Sequence, residues 1–190
     1  MKGLLVLLAV LLMTGAQAEE TALEAGQRLY FESGGYGCAV CHGLGAEGGG
    51  QAGGYIRGAS LVRLNESLAE NDPMKPLATV LSETDRQMLI DYLTDLAAIP
   101  LVQLTFENGQ WSGLSEPLKV NQTAEIVLYN ATFEEQAIDL SALGLGQITL
   151  QPLARDRRQW KAQSEQFTLP GVALGEIKTV LPGATANTTP

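Results

Sequence analysis

Cys38-Ala39-Val40-Cys41-His42 reads C-x-x-C-H. With this spacing each thiol can form a thioether to one haem vinyl group, while the histidine that follows ligates the iron under the ring. His42 is the only histidine of the chain, and Cys38 and Cys41 are its only cysteines. Two other readings use the same residues, a thioredoxin-like redox pair and half of a zinc site. A redox pair expects a βαβ context, which the surrounding pattern lacks. Zinc needs two further Cys or His ligands, and the chain has none. The stretch therefore predicts one covalently attached haem c, with His42 as its proximal iron ligand.

Upstream, Lys2 precedes an apolar run from Leu4 to Met13 and then Ala16-Gln17-Ala18, a small-x-small cleavage pattern. Residues 1–18 have the shape of a secretory signal peptide. The apolar run falls short of the ~20 residues that span a bilayer, and no cysteine lies near the cleavage point to carry a lipid. The expected product starts at Glu19 in an oxidising compartment, the periplasm of a Gram-negative source. A cysteine pair there normally becomes a disulfide; haem attachment consumes both thiols, so no disulfide is expected.

With 45% hydrophobic and 17% charged residues, the chain can bury a core. Its formal net charge is −9. Glu19–Ile99 holds 12 acidic and 5 basic residues, against 9 and 6 in Pro100–Pro190, so the half with the C-x-x-C-H motif is the more acidic. An acidic chain without a basic stripe is a poor nucleic-acid binder. It suits a partner with a basic docking face, because complementary charge speeds encounter.

The two halves are written in different periodicities. Glu20–Glu32 reads as a helix ended by Gly34-Gly35, and Gly43–Gly54 as a glycine-rich loop. Ser60–Ala69 reads as a short helix. Two prolines in Asp72-Pro73-Met74-Lys75-Pro76 exclude a helix there. Ser82 is a candidate N-cap for a helix over Ser82–Ala98, whose Met88, Leu89, Tyr92, Leu93 and Leu96 make one apolar stripe. After Pro100 short β-rich runs take over. Strands are predicted near Leu101–Phe106, Leu118–Val120, Glu125–Tyr129, Ala137–Leu140, Gln147–Leu150, Arg158–Ala162, Gln166–Leu169 and 177–181. Asn108-Gly109 and similar breaks separate them. This predicts a helical domain over 19–99, an antiparallel all-β sandwich or barrel over 100–181 and a frayed tail over 182–190.

The first half resembles a class I cytochrome c. The likeness rests on a first helix with Gly26 and Tyr30, the motif Cys38–Gly43, a methionine loop at Met74 and a last helix with Leu89 and Tyr92. The resemblance implies an all-α domain whose first and last helices cross, and a methionine as distal iron ligand. Met74 stands where that family places it, while Met88 lies on the apolar stripe and reads as packing. The pattern departs in one respect: Lys75 separates Met74 from Pro76. Leu118–Leu150 faintly resembles a cupredoxin-like or immunoglobulin-like sandwich. Copper is excluded there, since a blue-copper site needs two histidines and a cysteine and this half has no His, Cys or Met. The same inventory excludes a Ser-His-Asp or Cys-His nucleophile.

Glu134-Glu135 reads as a solvated turn, and Trp111 and Trp160 as core or rim aromatics. Arg155, Arg157, Arg158 and Lys161 form the one basic cluster, read first as a solvated strand face and otherwise as an anion or partner contact. The expected function is that of an exported monohaem electron carrier, not an enzyme. Its iron would cycle between Fe(II) and Fe(III) under His42 and Met74 ligation, with the β half docking a periplasmic redox enzyme or carrier. The alternative is a haem-based sensor with a vacant or labile sixth site. In a third reading the β half is an interaction scaffold with haem as its accessory.

Overall fold

A computed structural model describes residues 20–176. The predicted signal segment, the strand expected near 177–181 and the tail lie outside the described residues.

Helix α1 spans Ala22–Glu32 and starts in a capping box, in which the Thr21 hydroxyl accepts from the Glu24 amide and the Glu24 carboxylate reaches back to the Thr21 amide. A 3-10 turn over Ser33–Gly35 ends it, with Gly34 and Gly35 both at positive φ. The one-turn helix α2, Ala39–His42, carries the motif. Helix α3 follows over Leu61–Glu70, then a 3-10 turn over Lys75–Thr79. Helix α4, Glu83–Ala98, starts in a second capping box between Ser82 and Asp85. Helices α1 and α4 touch where Gly26 meets α4: a Cβ there would overlap the Met88 carbonyl. Tyr30, Leu89, Tyr92, Leu93 and Leu96 fill the space around that contact.

The remaining strands are β1 (Leu101–Glu107), β2 (Gln110–Ser115), β3 (Thr123–Asn130), β4 (Gln136–Asp139), β5 (Gln147–Leu150), β6 (Arg155–Lys161) and β7 (Val172–Glu176). Five of them form one sheet in the order β6-β3-β1-β2-β7, and β4 pairs with β5 as a separate hairpin. β1 and β2 are antiparallel, as are β3 and β6. β1 runs parallel to β3, with Leu101 opposite Glu125, and β2 parallel to β7.

This corrects the expected fold class. The protein is α/β, with short helices and a mixed sheet, not an all-α domain followed by an antiparallel sandwich or barrel. The physical reason lies in β3, which is buried on both faces. Ala124, Ile126 and Leu128 face a core closed by Ile138, Leu140, Leu143 and Leu150 from the β4–β5 hairpin and its turn. On the opposite face Glu125 and Val127 meet the helical half at Gly45, where an added Cβ would stand 2.5 Å from Glu125 and 3.1 Å from Val127. The loop after the motif thus occupies the place that a second sheet takes in a sandwich. Two expected strands are absent: Leu118 and Leu169 are buried in the sheet core but lie in irregular backbone. Strands β2 and β7 take their places in the sheet.

Candidate functional site

The α2 turn brings Cys38, Cys41 and His42 to one side. The His42 and Cys41 amides both donate to the Cys38 carbonyl, at 2.8 and 3.2 Å, and the Cys38 amide donates to the Tyr30 carbonyl at 2.7 Å. All three side chains line a cavity of about 370 Å³. Met74 lines it as well, with Pro76, Leu77 and Val80 supplying apolar wall. The segment holding Met74 is fixed by its own backbone: the Met74 amide donates to the Asn71 carbonyl at 2.8 Å and its carbonyl accepts from Leu77 at 2.9 Å. Met88 stays in α4 and does not line the cavity.

His42 Nδ1 pairs with the Gly54 carbonyl at 2.9 Å. As the donor in that bond Nδ1 carries the proton, which leaves Nε2 with its lone pair for a metal. Gly53 makes the approach possible, since a Cβ there would overlap the imidazole. Burial pushes the Cys38 thiol up to about 11. A redox dithiol needs the opposite shift, toward the thiolate, so the thioredoxin-like reading loses its chemistry here.

These residues fit a covalent haem. Two thiols, an oriented imidazole and a thioether share one cavity. The same cavity is lined by Ser33, whose Oγ is buried without a hydrogen-bond partner. Among the described residues no group of three or more His, Cys, Asp or Glu comes together to hold a metal ion by itself, so the zinc reading has no ligand set.

The basic cluster of β6 does not act as one patch. The Arg155 guanidinium lies 3.7 Å over the Tyr129 ring, Arg158 pairs with Asp156 at the surface, and Lys161 is exposed. Arg157 turns inward, 2.6 Å from Glu125, and donates to the Tyr92 hydroxyl at 2.9 Å and the Leu44 carbonyl at 3.2 Å. Glu134 and Glu135 are exposed in a turn, and Trp111 and Trp160 are buried in the sheet core.

Sequence reasoning missed three residues that matter here. Arg57 is fully buried, 3.0 Å from Glu125 and 2.9 Å from the Gly45 carbonyl, and it also donates to the Leu96 and Ile99 carbonyls. Glu125 sits inside the apolar run Ala124–Tyr129, and its charge there was the available signal. Glu47 is buried in the glycine-rich loop, where nothing in composition marks it. Its Oε2 accepts from the Gly45 amide at 2.7 Å, and its Oε1 has no partner.

No protein-family model, curated protein or solved structure matches the chain. The resemblances to a class I cytochrome c and to a cupredoxin-like or immunoglobulin-like sandwich are therefore corrected. The described residues form a few short helices and a mixed five-stranded sheet, and they contain no multidentate metal cluster. The C-x-x-C-H stretch is a property of the sequence itself and is independent of either likeness.

Proposed function

We propose that this chain is an exported electron carrier that holds one haem covalently through Cys38 and Cys41, with His42 and Met74 as axial ligands. The observation that carries the reading is that both thiols, the oriented imidazole of the sole histidine and the Met74 thioether line one cavity. Bound there, haem supplies a one-electron Fe(II)/Fe(III) couple, which a soft thioether ligand biases toward the ferrous form. The protein's own groups do the rest. Cys38 and Cys41 would hold the group through thioethers, the Gly54 carbonyl orients the His42 imidazole that would ligate the iron, and Met74 would supply a second ligand. Leu77 adds apolar wall to the cavity, while Tyr36 and Val80 are exposed where they line it. With His42 and Met74 both serving as ligands, the iron would offer no place for a substrate, and the chemistry it would supply is electron transfer.

The partner in this reading is a periplasmic redox enzyme or carrier with a basic docking face, drawn by the chain's negative charge. Denaturing electrophoresis with haem staining tests the cofactor: the mature band, starting at Glu19, keeps its stain after acid-acetone extraction. Loss of all haem in that extraction rejects covalent attachment. Ready and complete binding of carbon monoxide by the ferrous protein replaces the carrier reading with the sensor reading.

A further inference from the structure

Glu47 is 7% exposed, and its carboxyl lies against Gly43, the residue after His42: a Cβ on Gly43 would overlap it. One oxygen holds the Gly45 amide and the other holds nothing. A buried ionised carboxylate wants a cation or several donors. Among the described residues no Lys or Arg forms an ion pair with Glu47.

The charged groups that face it are few. Arg155 of β6 is in the next layer out, since the point where a Gly49 Cβ would stand is 2.8 Å from Glu47 Oε1 and 3.1 Å from Arg155 Nη1. Glu125 of β3 opposes a negative charge, while the Tyr30 phenol of α1 is neutral, its hydroxyl donating to the Gly43 carbonyl at 2.6 Å. Tyr55 bridges Glu47 only through backbone. Burial pushes the Glu47 carboxyl up, against the backbone amides and Arg155, which pull it down.

We propose that Glu47 is a proton-binding site coupled to the carrier's electron, so that the chain releases a proton as it passes an electron on. The inference rests on the haem reading above. In the reduced protein Glu47 is a carboxylic acid. One electron leaves for the redox partner; the Glu47 O–H bond breaks and its proton goes to water. The added positive charge at the iron is matched by a carboxylate, so the buried charge stays constant. A site with one unpartnered oxygen and no paired cation is suited to this, because each of its protonation states is costly only in the wrong oxidation state.

The test is a potentiometric titration of the haem-loaded protein across pH, for wild type and Glu47→Gln. In the wild type the potential falls as pH rises, approaching a tenfold change in the redox equilibrium per pH unit, 59 mV for one electron. Glu47→Gln loses that segment and keeps whatever pH dependence the haem propionates contribute. Redox-difference infrared spectroscopy on the wild type reads the same event directly, as a protonated carboxyl band lost on oxidation. That measurement decides even if Glu47→Gln fails to fold. An unchanged pH profile in Glu47→Gln, or no carboxyl band in the wild type, overturns the coupling alone. A chain that takes up no haem overturns the haem reading and the coupling together.

Discussion

Arg57 and Glu125, 68 residues apart in the chain, meet at 3.0 Å with both side chains fully shielded from solvent. Arg157 approaches the second Glu125 oxygen at 2.6 Å, so one carboxylate is shared by two guanidiniums. Arg57 comes from the helical half, Glu125 from the interior strand β3 and Arg157 from the edge strand β6. An ion-paired cluster thus sits at the junction between the halves. Removing the shared carboxylate leaves the buried Arg57 guanidinium without its counter-charge and takes one partner from the half-buried Arg157.

Glu125→Gln is accordingly expected to destabilise the protein by about 3–5 kcal/mol, the usual cost of breaking a buried pair from one side. Urea unfolding measures it, and raising salt should leave the loss intact because the pair is shielded from solvent ions. As a control, removing the surface Arg28–Glu20 pair should leave the unfolding midpoint where it was.

A chain ending at Ala98 keeps Arg57 but loses Glu125 and the Ile99 carbonyl that accept from it. It should therefore unfold at a lower denaturant concentration than the same helices within the full chain. Circular dichroism melts of both proteins check this; equal midpoints would show that the helical half stands alone.

Met74→Ala should abolish the weak long-wavelength band of methionine ligation in the ferric spectrum and open the ferrous protein to carbon monoxide. Met88→Ala, which changes a residue outside the cavity, should keep the band. Neither change touches Cys38 or Cys41, so in the proposed haem-bound form haem staining serves as the loading control.

Gly53→Ala puts a methyl group into the His42 imidazole. The ring must turn away from the Gly54 carbonyl or the loop must shift, a strain of about 1–3 kcal/mol. The expected results are a lower unfolding midpoint and an altered ligand-field spectrum; a Gly54→Ala change, which meets nothing within 4 Å, should give neither.

The pH dependence of the haem-free chain carries a sign. The Cys38 thiol is raised by burial from 9.0 to about 11, so above pH 9 the unfolded chain gives up its proton before the folded one does. The contribution from Cys38 is complete below pH 9 and is lost as pH rises toward 11. Stability of the haem-free chain should fall across that window. The haem-loaded chain, which has a thioether in place of the thiol, should lack this term.

The helices and several strands were legible in sequence because local chemistry marks them. Ser82 with Asp85 announced α4, Gly34-Gly35 ended α1, and β1, β3, β4 and β5 fall on apolar runs where strands were expected. Strand β2 was missed because Gln110–Ser115 has little apolar character and contains Gly113. That glycine is needed for close packing, since a Cβ would overlap the Gln103 carbonyl on β1. The parallel pairing of β1 with β3 was invisible because nothing local encodes which strand edge a later segment joins. The cavity residues were named from the motif, but Glu47, Arg57 and Glu125 were not. A buried charge is distinguished from a surface one only by what folds over it.

The turn at Asn108-Gly109, with both residues at positive φ (51° and 79°), is the type that matches the twist of a two-residue hairpin. Hairpins of this kind close in about 1–10 μs, so β1 and β2 have the means to zip before anything else in the sheet. That leaves the other edge of β1 bare until β3 arrives in parallel, a non-local pairing that is intrinsically slow. For that interval the nascent protein presents an unpaired, apolar strand edge, the template for edge-to-edge aggregation. The order in which the sheet is assembled therefore makes the folding of this chain a race between pairing of β1 with β3 and pairing of that edge with another chain.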